Sequence, residues 1–449
     1  MKSHFALLGV AVLGLVLGSL PVGSGVPSLA GQVGDGKDHT TLLVMFRDGA
    51  LPADLAPFAA QHAARVADVW DNLGGAVLKV DNAADGEALL AALLARGDVL
   101  TAEYDFAWHV DAVPNDPRWG LQWGPKAIHA DAAWDTTYGS HDVRLAILDT
   151  GVWGQLVGST PVWHQDVGAN VCGDKNFLGS GHAFDDNDHG SHTAGIATGV
   201  TNNGVGIAGT SQSCLYTGKV CDDQGNCDIS KVGGGINWAL NPDGNGRVDI
   251  VSMSFGGPLP SSTLQVAMDV GYARGLLLVA SAGNSNCAPV GYPAAYDSVI
   301  AVAALQTPPV VGIVLNLVNG QTEIRAPYSN CGIQMELAAP GTGILSSVRN
   351  NGYASFDGTS MAAPFVAGVA GLVKAANPSL TNVQLRCVLD QTAQDYGVPK
   401  RDVEFGYGKV RADKAVAYAL DPDVGLCVNY MFGLGIGGQN LGLVQTPPL

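Results

Sequence analysis

The sequence contains few charged residues, and only a minority of those are basic. Charged residues make up 14% of the 449 positions, and 23 Lys and Arg stand against 40 Asp and Glu, which gives a formal net charge of −17. Together with 47% hydrophobic residues, this composition argues against a disordered chain and indicates a packed core. Phosphate recognition needs clusters of Lys and Arg, so nucleic acid is not an expected partner. The acidic excess favours solubility in an external medium.

Cysteine and long apolar runs are also missing from most of the chain. The first 171 residues contain no cysteine, and all eight cysteines lie between Cys172 and Cys427. The cysteine-free portion indicates a separate unit, and the even number fits disulfides formed outside the cytoplasm. Beyond the N-terminal stretch no apolar run is long enough to span a bilayer without interruption, so we expect no stable membrane insertion.

The first 30 residues have the plan of a secretory signal peptide. Lys2 precedes an apolar run over residues 5–17, and the small residues at 28–30 predict a cut after Ala30. An uncleaved membrane anchor is the alternative, which is disfavoured because the run is short for a bilayer span. We therefore predict a secreted, extracellular protein.

Residues 41–110 predict a small α+β unit. The pattern gives strands at 41–46, 75–80 and 99–110 and helices at 53–67 and 85–97. This order of strand, helix, strand, helix, strand is typical of a ferredoxin-like domain. The two prolines and the turn residues of "VPNDPRW", 113–119, then predict a linker.

From about residue 120 to 420 the pattern is that of an α/β domain. Nearly continuous apolar runs, as in strands buried on both faces, occur at 143–150, 249–257, 275–284 and 297–305. Helical segments fall between them, which predicts a mostly parallel sheet with helices on both faces. Asn319 and Gly320 lie between two strand-like runs within 313–325, which predicts an inserted hairpin in the 306–325 segment.

Polar residues follow three of these predicted strands. Asp149, Ser254 and Asn284 stand at carboxyl ends, where ligands of open α/β sheets bind. Ser360 opens a helix of small residues, so helix N–H groups and the helix dipole favour an anion beside its hydroxyl. These positions predict a site at one rim of the sheet.

Asp149, His189, Ser360 and Asn284 together supply the groups that acyl transfer needs. His189 would take the proton from Ser360 Oγ as it attacks a carbonyl, and Asp149 would orient the imidazole and stabilise its charged form. The Asn284 side chain and the Ser360 backbone N–H would bind the developing oxyanion.

The stretch "DDNDHGSH", 185–192, also suggests a metal site, which its spacing disfavours. His189 and His192 are three residues apart with no Glu between them, whereas paired zinc ligands on a helix usually lie at i and i+4. His192 is expected to be buried and structural. For Asp185, Asp186 and Asp188 two alternatives stay open: they solvate the loop, or they raise the basicity of His189.

A structural calcium ion is a further hypothesis, although the chemistry requires no cofactor. Asn241, Asp243, Asn245 and Asp249 imitate the first ligand positions of an EF-hand loop, but Ser252 stands where the bidentate Glu belongs. A plain turn-rich loop is favoured over a calcium site at these residues.

The sequence resembles the subtilisin-like (subtilase) serine peptidases over roughly residues 120–420. Five matching motifs occur in the family's order: "ILDTGV" (147–152), "HGSHTAG" (189–195), "SMSFGG" (252–257), "SAGN" (281–284) and "GTSMAAP" (358–364). The resemblance implies that Asp149, His189 and Ser360 are the catalytic residues and that Asn284 is the oxyanion amide. It implies a secreted serine endopeptidase that cuts proteins or peptides through an acyl-enzyme.

The resemblance also implies how the chain is divided. Residues 31–111 look like an inhibitory prodomain that assists folding, inhibits its own peptidase and is then cut away. They would follow a signal peptide at 1–30 and precede a peptidase domain at 112–420. A C-terminal extension at 421–449 does not match the family core.

By the same resemblance, two motifs line the site for the residue before the cleaved bond. The expected substrate-binding residues are Ser254, Phe255, Gly256, Ser281, Ala282 and Gly283. None of them is acidic, so we expect a broad or large-apolar preference rather than one for Lys or Arg.

Sequence alone cannot choose among the disulfide pairings. Cys287 and Cys331 match a bridge position known in some relatives, so this pair is favoured. Cys387 and Cys427 are expected to tie down the C-terminal segment. The partners within one further cluster stay open: Cys172, Cys214, Cys221 and Cys227.

A catalytically inactive, protease-like binding or adhesion protein is the rival hypothesis. Such proteins usually lose a catalytic residue, whereas Asp149, His189, Ser360 and Asn284 are all present here. Labelling by a fluorophosphonate would distinguish the two.

Overall fold

The structure is a computed structural model that describes residues 37–106, 113–307 and 323–420. The predicted signal peptide, the turn at Asn319–Gly320 and the predicted C-terminal extension lie outside the described residues.

Residues 37–106 form a four-stranded antiparallel sheet with two helices and a core of its own. The elements are β1 (Lys37–Phe46), α1 (Leu55–Gln61), β2 (Arg65–Trp70), β3 (Gly75–Lys79), α2 (Ala83–Leu94) and β4 (Val99–Phe106). The strand order β2-β3-β1-β4 in a β-α-β-β-α-β chain is ferredoxin-like, as predicted. The prediction was wrong about β2, which it placed partly in a helix. β2 lies at the edge of the sheet and is largely exposed, so it lacks an apolar alternation.

The second unit contains both helices and strands. Its first half comprises α3 (Gly124–Ala127), α4 (Ala130–Trp134), β5 (Arg144–Asp149), β6 (Gly154–Val157), β7 (Thr160–Trp163), β8 (Val171–Asn176), α5 (His189–Thr198), β9 (Cys214–Lys219), α6 (Ile229–Ala239), β10 (Ile250–Met253) and α7 (Ser262–Ala273). Its second half comprises β11 (Leu277–Ser281), β12 (Val299–Gln306), β13 (Ile324–Arg325), β14 (Met335–Pro340), β15 (Ile344–Val348), β16 (Gly352–Phe356), α8 (Thr359–Ala376), α9 (Asn382–Thr392) and α10 (Ala412–Leu420).

The central sheet has the order β13-β12-β11-β10-β5-β9-β8, with β14 also paired to β12. The pairs of β5 with β10 and β9, and of β11 with β10 and β12, are parallel, which confirms the predicted parallel sheet. Only the short β13 runs antiparallel to its partner β12 among the described strands of this sheet.

Helices cover both faces of this sheet, because successive strand residues point to opposite sides. On β5, Leu145 and Ile147 pack in the cluster that contains α5 and α8. Ala146 and Leu148 pack in the cluster that contains α6 and α7. The α/β fold with two buried faces is therefore the predicted one, and the carboxyl ends of β5, β10 and β11 meet at one rim.

Helix α8 is the one described helix that is long and apolar enough, by length and composition alone, to cross a membrane. However, 78% of this 18-residue helix is buried inside the fold. Its small residues allow close packing against α5 and the sheet, so α8 is the central core helix of the domain.

Three disulfides lie within the described residues. The favoured pair Cys287–Cys331 is confirmed. The undecided cluster pairs as Cys172–Cys214, which joins β8 to β9, and as Cys221–Cys227, which closes a short loop before α6. Cys387 is disulfide-bonded as well. Its predicted partner lies outside the described residues.

Candidate active site

Asp149 and His189 meet at the carboxyl end of the sheet. Asp149 is the last residue of β5 and is 1% exposed, and His189 is the first residue of α5. His189 Nδ1 lies 2.7 Å from Asp149 Oδ1. With Nδ1–H donating to the carboxylate, Nε2 carries the lone pair and can accept a proton.

The protein raises the pKa of His189 above the ordinary histidine value. Burial lowers this pKa, but the charge and the hydrogen bond of Asp149, together with the charge of Asp185, outweigh burial. A raised pKa makes the imidazole a stronger base and stabilises the imidazolium that forms after proton transfer.

Close packing at the start of α5 sets the position of the histidine. A Cβ on Gly190 would collide with the backbone oxygen of Gly151, just beyond β5. Only glycine therefore lets the first turn of α5 approach the strand end. The Thr193 hydroxyl on the next turn lies 3.3 Å from Asp149 Oδ2 and 3.1 Å from the Gly190 backbone oxygen, and it can donate to either acceptor.

Asn284 and Ser360 direct N–H groups toward the same space. Asn284 Oδ1 accepts hydrogen bonds from the backbone and the hydroxyl of Thr359, both at 2.9 Å, which leaves Nδ2 directed away from these donors. A point at Cβ distance from Gly358 lies 3.4 Å from Asn284 Nδ2 and 3.5 Å from the Ser360 N atom. Two donors that converge on one small space can bind an oxyanion.

The hydroxyl of Ser360 is directed toward the neighbouring strand end. Its Oγ donates to the Ser254 backbone oxygen at 2.9 Å, and Ser254 Oγ donates to the Ser360 backbone oxygen at 2.8 Å. Within the part of the chain that the structure describes, Ser360 Oγ forms no hydrogen bond with His189. Catalytic hydrogen bonds of substrate-free enzymes are often long and tighten when substrate binds.

A cavity of about 500 Å³ opens beside Ser360 and Asn284. All six predicted substrate-binding residues line it: Ser254, Phe255, Gly256, Ser281, Ala282 and Gly283. Gly283 has a φ of +106°, and a Cβ there would lie 2.5 Å from Asn330 Nδ2, so this position requires glycine. No Asp or Glu is found among the described residues that line the cavity.

His192 lies apart from this chemistry. The side chain is fully buried, its ring stacks on Phe356 with centroids 4.3 Å apart, and Nε2 donates to the Ala354 backbone oxygen at 3.0 Å. Burial lowers the pKa of His192 to about 4, so the ring is neutral near pH 7. The expected burial is confirmed.

The residues of the calcium hypothesis are engaged with donors of the chain itself. Asp243 Oδ1 lies 3.3 Å from Arg144 Nη1, and Asp249 Oδ1 lies 3.1 Å from Arg247 Nη1. Asn241 Oδ1 accepts the Gly246 N–H at 3.0 Å. These guanidinium partners compete with a cation for the carboxylates, so this oxygen set does not fit a calcium ion as it stands. Among the described residues, no group of three or more His, Cys, Asp or Glu side chains is placed so that it could hold a metal ion.

Two residues that support Asn284 and its loop were not predicted from the sequence. Thr359 donates two hydrogen bonds to the Asn284 side-chain oxygen. Its position inside the "GTSMAAP" motif is the sequence signal that could have identified it. Asn330 accepts the Ser285 N–H and donates to Ala282 O, which shapes the loop around Asn284. Asn330 lies 45 positions from Ser285, and no local pattern links the two.

Comparison with known families accounts for most of the chain. Residues 140–408 match the subtilase family, and residues 40–105 match the fervidolysin N-terminal prodomain. The chain therefore belongs to the subtilase family. It is a subtilisin-like serine endopeptidase with an N-terminal prodomain.

Individual relatives agree with this assignment. The halolysin-like extracellular serine protease Nep of Natrialba magadii is 35% identical over 431 residues, which cover 93% of this chain and 74% of the relative. Halolysin of Haloferax mediterranei is 35% identical over 76% of this chain and 61% of its own length. Subtilisin Savinase of Lederbergia lenta is 36% identical over 297 residues, which are 66% of this chain and 98% of the relative.

Proposed function

We propose that Ser360 is the nucleophile of this endopeptidase, that His189 is its general base and that Asp149 orients the histidine. The 2.7 Å contact between His189 Nδ1 and the buried Asp149 carboxylate carries the proposal. It fixes the tautomer in which Nε2 accepts a proton.

The reaction proceeds in two halves. In the first, Ser360 Oγ bonds to the scissile carbonyl carbon while its proton passes to His189 Nε2. That proton then goes to the leaving amine as the C–N bond breaks and an acyl-enzyme forms. In the second half water attacks the acyl carbon while it gives a proton to His189 Nε2. That proton then passes to Ser360 Oγ as the ester bond between Oγ and the acyl carbon breaks, which releases the acid product and restores the free serine. Asn284 Nδ2 and the Ser360 N–H bind the oxyanion in both halves.

Before the attack, the Ser360 hydroxyl must change its hydrogen-bond acceptor from the Ser254 backbone oxygen to His189 Nε2. The hydroxyl donates to the Ser254 backbone oxygen in the free enzyme. A substrate that pairs with the backbone at residues 254–256 would displace this contact, and a rotation about χ1 would bring the hydroxyl toward His189. Binding of the substrate backbone would therefore be the step that aligns Ser360 Oγ with His189.

The proposed substrates are extended protein or peptide segments. The strand ends 254–256 and 281–283 form two sides of the 500 Å³ cavity, which takes the side chain before the cleaved bond. No charged residue is found among the described residues that line the cavity, which favours a broad or large-apolar preference over one for Lys or Arg.

The prodomain is the proposed intramolecular partner. Apolar side chains are exposed along the start of α6, the loop before α7 and α7 itself, where Ile229, Leu259 and Val266 are 46%, 80% and 61% exposed. On the prodomain, Leu42 and Val44 of β1 point into its core, so Leu43 and Met45 lie on the opposite sheet face and are half-buried. These two apolar surfaces suit each other, and burying them would hold the prodomain over the site.

A maturation assay tests this docking. Val266→Glu in the full chain should slow prodomain release because it places a charge in the proposed contact. The control is Val398→Glu, at a 70% exposed position outside these elements. Equal release rates in the two variants would reject this docking surface.

We further propose secretion, with the division into residues 1–30, 31–111, 112–420 and 421–449 as predicted from sequence. The name of the Natrialba relative describes an extracellular protease, which supports secretion. N-terminal sequencing and the intact mass of the secreted form test all of these boundaries.

Calcium at Asn241, Asp243, Asn245 and Asp249 stays a secondary hypothesis. Binding there would require the carboxylates to leave Arg144 and Arg247. Equal melting temperatures in calcium and in chelator would count against it.

Loss of the proposed nucleophile tests the central assignment. Ser360→Ala should abolish both proteolysis and prodomain release, because both need the same acyl-enzyme. Ser180→Ala, at an exposed serine of the same chain, is the control and should process normally. Retained processing by Ser360→Ala would show that the nucleophile is another residue.

A further inference from the structure

The three aspartates before His189 have different partners. Asp186 Oδ1 lies 2.5 Å from Lys219 Nζ, and Asp188 Oδ1 lies 2.8 Å from Arg349 Nε. Asp185 is 6% exposed, and it forms no ion pair with a Lys or Arg among the described residues. Asp185 therefore differs from its two neighbours, since its charge is buried and is not neutralised by a cation.

The Asp185 carboxylate instead joins two elements of the active site. Its Oδ1 accepts the hydroxyl of Thr150 at 2.8 Å, and Thr150 directly follows Asp149. Its Oδ2 accepts both the N–H of Ser191 at 2.9 Å and the hydroxyl of Ser191 at 2.5 Å, on the first turn of α5. One carboxylate thus ties the end of β5 to the start of the helix that carries His189.

Helix α5 depends on these contacts because its own N-cap side chain does not cap it. Asp188 occupies the N-cap position, but its carboxylate bonds to Arg349 and caps no N–H of the helix. The first N–H groups of any α-helix lack intrahelical partners. Here Gly190 N–H donates to the Thr150 hydroxyl at 2.8 Å, and Ser191 N–H donates to Asp185. The cap of α5 therefore comes from Thr150 and Asp185, together with Asn187, whose Oδ1 accepts the His189 N–H at 3.3 Å.

We infer that Asp185 is a positioning residue for peptide-bond hydrolysis, which holds His189 against Asp149 and favours the imidazolium by its buried negative charge. The inference rests on the proposed roles of Asp149, His189 and Ser360. Of the three aspartates before His189, only Asp185 acts on the histidine in this way.

The charges around the imidazole agree with this role. Asp185 is one of the groups that raise the pKa of His189, after burial, which lowers it, and Asp149, which raises it. The neighbouring pairs of Asp186 with Lys219 and of Asp188 with Arg349 each combine one negative and one positive charge, so their net effect on the ring is small. The titratable and charged groups that face the ring from the elements around it are Asp149 on β5, His192 on α5, Asp185, Asp186 and Asp188 on the loop, Lys219 on β9 and Arg349 after β15.

Asp185→Asn is the test variant, because it removes the charge and keeps the shape. The matched control is Asp223→Asn, which removes one charge from an exposed residue of a neighbouring loop. The two variants and the wild-type enzyme are compared after active-site titration with a fluorophosphonate, with a short peptide substrate. The readouts are kcat per titrated site, KM, and the pH profile of kcat/KM.

For Asp185→Asn we expect kcat per site to fall by about 10-fold to 100-fold with KM nearly unchanged, because the base is misplaced rather than the substrate. The acid limb of kcat/KM should move to lower pH by about 0.5 unit or more, since a negative charge near the imidazole has been lost. Asp223→Asn should behave as wild type. An unchanged acid limb and an unchanged kcat per titrated site in Asp185→Asn would overturn the inference and leave Asp185 a helix cap only.

Two further variants keep the inference testable if Asp185→Asn does not mature. Asp185→Glu retains the charge, and Ser191→Ala removes one of the two Ser191 donors to Asp185. We expect Asp185→Glu to lose kcat without a shift of the acid limb, because charge is kept while geometry changes. A wild-type kcat in both variants would overturn the positioning role.

Ser360→Ala separates the failure of this inference from a failure of the proposed function. If Ser360→Ala still releases its prodomain, the nucleophile assignment is wrong, whatever Asp185→Asn does. If Ser360→Ala is inactive and Asp185→Asn is indistinguishable from wild type, only the role of Asp185 is rejected.

Discussion

The side-chain oxygen of Asn284 accepts two hydrogen bonds from Thr359, one from the backbone N–H and one from the hydroxyl, each at 2.9 Å. Thr359 immediately precedes Ser360 in the chain. The residue before the proposed nucleophile therefore orients the amide that would bind the oxyanion. The start of α8 therefore positions both the proposed nucleophile and the proposed oxyanion donor.

This relationship predicts the effect of changing either residue. Asn284→Leu should lower kcat by about 10²–10³-fold with little change in KM, a magnitude taken from the equivalent change in a subtilisin. Thr359→Val keeps the N–H donor and loses the hydroxyl, so its kcat should fall less. Thr359→Ser retains both donors and serves as the matched control. Steady-state kinetics per titrated site measure all three, and a wild-type kcat for Asn284→Leu would contradict the assignment.

The pair of Asp149 and His189 predicts how activity depends on pH. Because the pKa of His189 is raised, activity should decline as the pH falls through a value above that of an ordinary histidine, where Nε2 becomes protonated. Asp149→Asn should lower kcat by about 10⁴-fold, since the imidazole loses its orienting charge and its tautomer. The pH profile of kcat/KM measures where activity declines on the acid side, and steady-state kinetics measure the fall in kcat of Asp149→Asn. An acid limb below the ordinary histidine pKa would contradict the raised value.

His192 predicts a separate dependence of stability on pH. Its pKa is about 4 in the folded protein against 6.5 for an ordinary histidine, so the unfolded chain binds a proton more readily. The contribution of His192 to stability is complete above pH 6.5 and is lost as the pH falls toward about 4. At about pH 5 the loss is on the order of 2 kcal/mol.

Denaturant unfolding measures this contribution, in Ser360→Ala protein because we expect this variant not to digest itself. His192→Gln in that background should flatten the decline of the unfolding free energy between about pH 7 and about pH 5. The same decline with and without His192 would show that other groups cause it.

The substrate cavity predicts cleavage preference. The described residues that line it include Ser254, Ala282, Gly283 and Asn330, and they offer shape and backbone polar groups but no carboxylate. We expect a peptide library to show Phe, Leu, Met and similar residues before the cleaved bond, with Lys and Arg disfavoured. A profile dominated by basic residues at that position would contradict this reading of the cavity.

Much of the fold was predictable because its signals are local. Strands β5, β10, β11 and β12 are nearly continuous apolar runs, which are typical of strands buried on both faces. The edge strand β2 was missed because most of its side chains face solvent, so no apolar pattern marks it.

The site was predictable where chemistry stands at the ends of elements. Each of three site residues lies at the end, just after the end or at the start of a recognisable element: Asp149, Asn284 and Ser360. The order of the motifs along the chain indicated His189. The contact between Asp185 and Thr150 was not predictable, because 35 residues separate them and only the close approach of α5 to β5 brings them together. The pairings of Cys172 and Cys221 were undetermined for the same reason, since they depend on which strands and loops become neighbours.

Labelling of the mature enzyme with a fluorophosphonate tests the central claim most directly. The reagent forms a bond only with a serine that a neighbouring base activates, and peptide mass spectrometry locates the modified residue. We expect a single adduct on Ser360 that abolishes proteolysis, with no adduct in His189→Ala protein. An adduct on a different serine, or full activity with Ser360 modified, would contradict the assignment of Ser360 and His189.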